Sequence, residues 1–159
     1  MEPIIALREL EQRDVPELVE LVFKYKRETN RDFPASKRSE IGAAFFHAME
    51  SESTRVWVAA SSAGRLEGYI AAHLTHDPMI AGCEIYVSDL LVAETGRGSG
   101  VGSMLLDRAE RFGRERGAVR VMLNNPKASE SYRRDFYKKR GYIERLEFAN
   151  FVKYPEDDE

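Results

Sequence analysis

A glycine-rich stretch between a predicted strand and a predicted helix is the part of this sequence best suited to chemistry. Residues 90–92 end an apolar run, four glycines lie between positions 96 and 102, and apolar residues then recur at helical spacing. The first N–H groups of a helix have no partner inside the helix, and the helix dipole is positive at that end. Glycines let a bulky anion approach those groups, so the stretch predicts a binding site for a diphosphate.

Two common phosphate-binding motifs are excluded by their spacing. A dinucleotide-binding G-x-G-x-x-G motif needs a glycine at 101 or 103, where this chain has Val101 and Ser103. A Walker loop needs Gly-Lys followed by Ser or Thr, and that sequence does not occur. We therefore expect neither of these nucleotide-binding folds.

Two motifs resemble the signatures of the GNAT superfamily of N-acetyltransferases. Arg97-Gly98-Ser99-Gly100-Val101-Gly102 resembles the family pattern Arg/Gln-x-x-Gly-x-Gly/Ala, and it follows Leu90-Leu91-Val92 as in that family. Further along, Asp135-Phe136-Tyr137-Lys138-Lys139-Arg140-Gly141-Tyr142 resembles the second signature, a helix ending in Phe/Leu-Tyr-x-x-x-Gly-Phe/Tyr. The motifs occur in the family's order, and the resemblance covers roughly residues 54–143.

The resemblance implies acetyl coenzyme A as cosubstrate and no metal. The pyrophosphate would bind the backbone N–H groups of residues 97–102, and the pantetheine arm would bind the main chain of residues 90–92. Asn124 lies near the expected path of the cofactor. The implied cofactor-binding residues are Leu90, Leu91, Val92, Arg97, Gly98, Ser99, Gly100, Val101, Gly102, Asn124 and Tyr137.

The family chemistry is direct attack of an amine on the thioester, which requires two proton movements. The incoming ammonium must lose a proton, and the departing thiolate must be stabilised or protonated. Tyr137 resembles the family's general acid. A phenol suits this role because its ordinary pKa of about 10 lies within about 1.5 units of that of a thiol. Without the resemblance, core packing would be the more natural role for this ring.

The general base is less clearly indicated. Residues 86–92 are similar to a strand of the spermidine/spermine N-acetyltransferases, but Ser88 replaces their catalytic glutamate. Strict alternation predicts that Glu84 and Ser88 share one face of the strand and Asp89 the other, although a bulge would change this count. Glu84, Asp89 or a water molecule held by Ser88 could act as the base. Asp89 could equally be a structural hydrogen-bond acceptor.

The three histidines show no metal-binding spacing. His47, His73 and His76 are not paired with another histidine or cysteine at a zinc-type interval. His73 and His76 lie near a predicted strand end and could line a pocket. We expect them instead to be partly exposed residues without a catalytic role.

The elements that position these residues follow from periodicity and turn residues. Asp14 and Glu17 predict a capping box at the start of the first helix. Taken with the resemblance, the pattern predicts an α/β (mixed α+β) GNAT-like fold with a mostly antiparallel six- to seven-stranded mixed sheet and about four helices. We expect one domain over 1–154 and an acidic tail over 155–159. The predicted strands cover 4–8, 54–61, 66–75, 86–92, 118–123 and 142–154, the last as one or two strands, and the last predicted helix covers 129–140.

Composition excludes several classes of protein. The chain has 159 residues, 32% of them charged, and a formal net charge of −3, which is the wrong sign for a dedicated nucleic-acid binder. The single Cys83 excludes an intrachain disulfide. No apolar run has the length of a signal peptide or a membrane span, so we expect a cytoplasmic protein without a membrane partner.

The sequence leaves the acceptor open. In the family the acceptor site would involve residues 23–40 and 142–152, which here give no clear acidic pocket. We expect an amine of a small molecule or protein as acceptor, and polyamine, amino acid, aminoglycoside and protein amino groups all remain possible. Alternatives to an N-acetyltransferase are a non-catalytic acyl coenzyme A sensor or interaction module, and a nucleotide or phosphosugar binder. The resemblance also implies a homodimer formed through the closing strands.

Overall fold

Five strands form one mixed sheet in the computed structural model, which describes residues 4–155. The chain divides into a unit ending at Asn124 and a second unit beginning at Asn125, and each is described by itself. The strands lie in the order β1 to β5: β1 is Ile5–Glu9, β2 Thr54–Ser61, β3 Leu66–Asp77, β4 Gly82–Val92 and β5 Arg120–Leu123. The helices are α1 (Val15–Thr29), α2 (Lys37–Glu50), α3 (Val101–Glu115), α4 (Glu130–Arg133) and α5 (Phe136–Lys139).

The sheet is antiparallel from β1 to β4, and β5 pairs with β4 in parallel. This parallel pairing requires a crossover between β4 and β5, and α3 supplies it. The glycine-rich stretch therefore lies where β4 leads into the crossover helix. None of the described helices is long and apolar enough to cross a membrane.

Helices cover both faces of the sheet in the first unit. On one face, Leu18 of α1 and Phe45 of α2 pack in a cluster with Val58 and Tyr69 of the sheet. On the other face, the ring of Phe112 in α3 lies 5.5 Å from that of Trp57, edge to face. Burial of apolar side chains on both faces holds the central strands in one register.

An ion pair fixes the connection between β1 and α1. Arg8 donates two hydrogen bonds to the carboxylate of Asp14, at 2.6 and 2.8 Å, and Asp14 also accepts the backbone N–H of Glu11 at 2.8 Å. The predicted capping box of Asp14 and Glu17 is therefore wrong. Glu17 instead accepts the backbone N–H of Leu66 at 2.8 Å, because its side chain reaches the start of β3.

The second unit differs from its predicted secondary structure. The predicted helix over 129–140 is broken, because Asp135 takes a left-handed backbone with φ of 57° and cannot continue the hydrogen-bond series of α4. The closing strands predicted over 142–154 are not formed, so the described sheet has five strands rather than six or seven. Apolar side chains of this segment, such as Ile143 and Phe151, are exposed and do not alternate regularly with polar ones.

We predict that Asp14→Asn lowers the free energy of unfolding by about 2 kcal/mol at pH 7, the typical loss for hydrogen bonds to a charged group. The Arg8 guanidinium holds the pKa of Asp14 below its usual range, so this stabilisation is present above about pH 4. It is lost as the pH falls through the lowered pKa of the folded state, and urea unfolding at pH 7 and pH 3 measures both values. Glu20→Gln, at an exposed ion pair with Arg38, is the control and should change stability little.

Candidate active site

A bulge in β4 determines which residues this strand presents. Ala71 pairs with Asp89 but Ala72 pairs with Val87, so Ser88 is an extra residue with no partner of its own on β3. Paired residues share a face of the sheet. Ala71 and His73 lie on one face of β3, and they pair with Asp89 and Tyr86, so Asp89 and Tyr86 share that face. Strict alternation is thus wrong beyond Ser88: Asp89 no longer shares a face with Val87.

The bulge also marks the point where β4 and β5 separate. Their parallel pairing runs from Glu84 with Arg120 to Val87 with Leu123, and β5 ends there. Within residues 4–155, the main chain of β4 from Ser88 to Val92 has no strand partner on this side. An open edge of extended backbone can bind an extended ligand by main-chain hydrogen bonds.

A chain of hydrogen-bonded side chains crosses three strands beside the bulge. Thr54 Oγ1 lies 3.0 Å from Nδ1 of His73, and Nε2 of His73 lies 2.7 Å from Oγ of Ser88. Ser88 Oγ in turn donates a hydrogen bond to Oδ2 of Asp89 at 3.1 Å. Burial lowers the pKa of His73 even though the nearby charge of Asp89 acts to raise it, so the imidazole is neutral at pH 7.

His73 is partly exposed, as expected, but it is also held in place by hydrogen bonds. It is half-buried and bonded through both ring nitrogens, whereas His76 on the same strand is exposed. Sequence reasoning missed this arrangement because its members come from β2, β3 and β4. The sequence offered one indication: if β3 and β4 paired as a hairpin, His73 and Ser88 could become neighbours on adjacent strands.

Glu84, the other carboxylate considered as a base, lies elsewhere. It is 6% exposed and accepts a hydrogen bond from Nε of Arg120 at 2.6 Å. It pairs with Thr75, and Asp89 pairs with Ala71, so about 13 Å of strand separates the two positions at ~3.3 Å per residue. The two carboxylates cannot serve the same reacting centre.

The glycine-rich stretch forms the start of α3. Gly98 and Gly100 have φ values of 75° and 83°, which favour glycine, and a Cβ at either position would meet nothing within 4 Å. Within the described chain, the first main-chain hydrogen bond into α3 is from Met104 N–H to Gly100 O, at 3.0 Å. The N–H of Arg97 already donates to Glu94 O at 3.3 Å, whereas the described main-chain hydrogen bonds include none from residues 98–103, so these N–H groups can bind an anion.

A buried carboxylate anchors this loop to the sheet. Glu67 of β3 is 1% exposed, accepts the hydroxyl of Thr95, and pairs with Arg65 at 2.9 Å. Its backbone oxygen accepts the N–H of Ala93 at 2.8 Å. Gly96 packs so closely that a Cβ there would lie 2.9 Å from the same oxygen. The loop therefore starts from a rigid base.

Tyr137 lies on α5 in the second unit. Its ring contacts those of Phe136 and Tyr142 edge to face, with centroids 5.0 and 5.7 Å away. Burial raises its pKa to about 12. The phenol is thus a weaker acid than its ordinary pKa suggests. In the first unit, Asn124 donates from Nδ2 to the hydroxyl of Tyr86 at 3.3 Å.

The sequence of the chain matches one family of enzymes. The family model described as acetyltransferase (GNAT) family matches residues 16–142, which is most of the chain. The chain belongs to the GNAT acetyltransferase family. No curated protein sequence matches this GNAT chain.

Solved structures agree with the family in fold. A mutant of the BH1408 protein from Bacillus halodurans superposes with a TM-score of 0.76 and 21% identity, over 95% of this chain and 99% of the other. Ribosomal-protein-alanine N-acetyltransferase from Brucella melitensis biovar Abortus 2308 gives 0.70 and 18%, over 95% and 99%. An acetyltransferase from Trypanosoma brucei gives 0.69 and 21%, over 97% and 99%. At these identities the likeness shows the fold of this GNAT chain.

We predict that Tyr137 stays protonated at pH 10.5, because burial raises its pKa to about 12. Carbon NMR of protein labelled at the tyrosine Cζ, with Tyr137→Phe to assign the signal, measures this directly. A Tyr137 signal that titrates near pH 10 would contradict the burial described here.

Proposed function

We propose that this GNAT protein is an acetyl coenzyme A-dependent N-acetyltransferase that acts as a homodimer in the cytoplasm. The acetyl group is transferred to a primary amine of a small molecule or protein by direct attack on the thioester. The observation that carries the proposal is the combination, on one strand, of an exposed polar bulge, an open backbone edge and a glycine loop at a helix start. These features follow one another in the order of the parts of the cosubstrate: thioester, pantetheine and pyrophosphate.

The proposed cosubstrate site uses mainly the backbone. The pyrophosphate binds the N–H groups of residues 97–102, where the dipole of α3 stabilises negative charge. The pantetheine arm pairs with the open edge at Leu90, Leu91 and Val92, which extends β4 in the manner of an added strand. Asn124, at the end of β5, lies beside this edge and contacts the cosubstrate.

The chemistry follows from placing the thioester beside the bulge. Asp89 is exposed there, and its charge attracts an ammonium group. Tyr137 donates a hydrogen bond to the departing sulfur. Because the pKa of this phenol is about 12, full proton transfer to a thiolate with a pKa of about 8.5 is unfavourable, and its role is stabilisation of the thiolate charge.

Glu84 is not part of the proposed mechanism. Its carboxylate already pairs with Arg120, and it lies on the paired part of β4. Removing Arg120 would leave the Glu84 carboxylate with little access to water, so the ion pair stabilises the pairing of β4 and β5.

The primary test is isothermal titration with acetyl coenzyme A, coenzyme A and ATP. We expect micromolar binding of both coenzyme A forms and none of ATP. In the same samples, a free-thiol assay with spermidine, L-lysine, kanamycin and a peptide with N-terminal alanine should detect coenzyme A released by transfer. Binding without release on any amine would favour a non-catalytic sensor, and absence of binding would reject the cosubstrate site.

We predict that Gly100→Asp abolishes measurable coenzyme A binding, because it places a negative charge and a Cβ against the diphosphate. Gly64→Asp is the matched control, since Gly64 has φ of 82°, close to the 83° of Gly100, and also has open space around it. Titration calorimetry compares the two variants. Equal affinity in both would contradict the assignment of the loop.

We predict that Tyr137→Phe lowers turnover by about 100-fold while the affinity for coenzyme A stays within a few-fold of wild type. The ring keeps its contacts with Phe136 and Tyr142, so folding should be unaffected. Phe136→Leu, which perturbs the same cluster without removing a hydroxyl, is the control. Unchanged kcat in Tyr137→Phe would reject the proposed contact with the sulfur.

A further inference from the structure

We propose that His73 is the proton acceptor for the incoming ammonium and that it acts through the hydroxyl of Ser88. This inference rests on the acetyltransferase function proposed above and deepens it. It assigns the base to a side chain on β3, with Ser88 as the residue that touches the acceptor amine.

The geometry has the three parts that such a relay needs. Ser88 is exposed at the bulge and therefore accessible to an amine, and its hydroxyl lies 2.7 Å from Nε2 of His73. Thr54 holds the other ring nitrogen at 3.0 Å and so fixes the orientation of the imidazole. A nucleophile or relay hydroxyl, a base and a group that orients the base are the recurring arrangement for activating a weak nucleophile.

The bulge is what makes this contact available. His73 pairs with Tyr86, and the extra residue brings Ser88 next to the same histidine. The rings of His73 and Tyr86 lie 6.2 Å apart and are inclined by 32°, which limits rotation of the imidazole on that side. The orientation of His73 is therefore set by both neighbouring strands.

The proton balance is simple. The hydroxyl of Ser88, which donates to Asp89 in the structure, first turns to donate to Nε2 of His73. One N–H bond of the ammonium then breaks as an O–H bond forms on Ser88, and the original O–H bond of Ser88 breaks as an N–H bond forms on Nε2 of His73. The net change is one proton moved from the ammonium to His73, which leaves a neutral amine to attack the thioester. In this step Nδ1–H donates to Oγ1 of Thr54.

The groups that face His73 suit this role. From β4 these are Asp89 and Tyr86, and from β2 the neutral hydroxyl of Thr54. Burial lowers the pKa of His73, so the ring is neutral and ready to accept a proton at pH 7. The carboxylate of Asp89 stabilises the imidazolium once it forms.

The relay is reset along the same path. After the product leaves, the imidazolium returns its Nε2 proton through the hydroxyl of Ser88, which is exposed and reaches solvent.

The test compares His73→Gln and Ser88→Ala with wild type across pH 5 to 10.5, using the panel amine that wild type acetylates fastest. For wild type we expect kcat/KM to rise through a pKa below 6.5. Near pH 7 we expect both variants to lose about 100-fold, the usual contribution of a positioned base. The loss should shrink towards pH 10.5, where the free amine no longer needs a base.

His76→Gln is the matched control, because His76 lies on the same strand but is exposed. It should leave the pH profile unchanged. Titration with coenzyme A accompanies each variant, and we expect wild-type affinity in all of them. Nitrogen NMR of His73 in wild type should show a neutral ring at pH 7, whose signals shift in Ser88→Ala.

The outcomes separate this inference from the proposed function. Two results would overturn the relay while leaving the acetyltransferase function intact. One is that kcat/KM of His73→Gln still falls at low pH as in wild type, and the other is that kcat/KM of the variants is reduced equally at every pH. Coenzyme A binding without turnover of any amine by wild type would overturn both. The relay would be supported if kcat/KM of His73→Gln no longer fell at low pH, if both variants approached wild type at high pH, and if their affinity for coenzyme A were unchanged.

Discussion

The bulge at Ser88 is the constraint on which the candidate site depends. Without it, alternation would turn Asp89 to the face of Ile85 and Val87, which α3 covers with apolar side chains. A neutral polar group without a partner in that layer would cost ~1–3 kcal/mol, and an unpaired carboxylate would cost more. The extra residue turns Asp89 to the other face, exposes it, and leaves Ser88 in contact with His73.

The same point of the chain ends the pairing of β4 with β5. Val87 is the last residue of β4 that pairs on that side, and Asp89 is the first residue beyond the bulge that pairs with β3. Up to Val87 the strand is held on both sides, and beyond it on one side only. The polar residues and the open edge therefore occur together, because one local irregularity produces both.

Some of this could be read from the sequence and some could not. β2 begins and ends as predicted, because residues that favour a turn, Ser62-Ala63-Gly64-Arg65, follow an apolar run. The start of α3 was predicted because the glycines precede a strongly periodic segment. The contact of His73 with Ser88 depends on the bulge in β4, which strict alternation along the strand does not reveal. The closing strands were predicted wrongly, because β propensity in 142–154 does not provide a pairing partner.

Within the glycine loop, different glycines satisfy different physical demands. Gly98 and Gly100 are needed for their positive φ and have open space around them, which leaves room for a ligand. Gly96 is needed because the backbone of Glu67 lies too close for a Cβ, and the buried carboxylate of Glu67 holds Thr95 beside it. A loop made only of flexible residues would lose conformational entropy whenever it bound an anion. Here one end is fixed to the core of the sheet and the other continues into α3, so the backbone N–H groups of the loop are held in one arrangement.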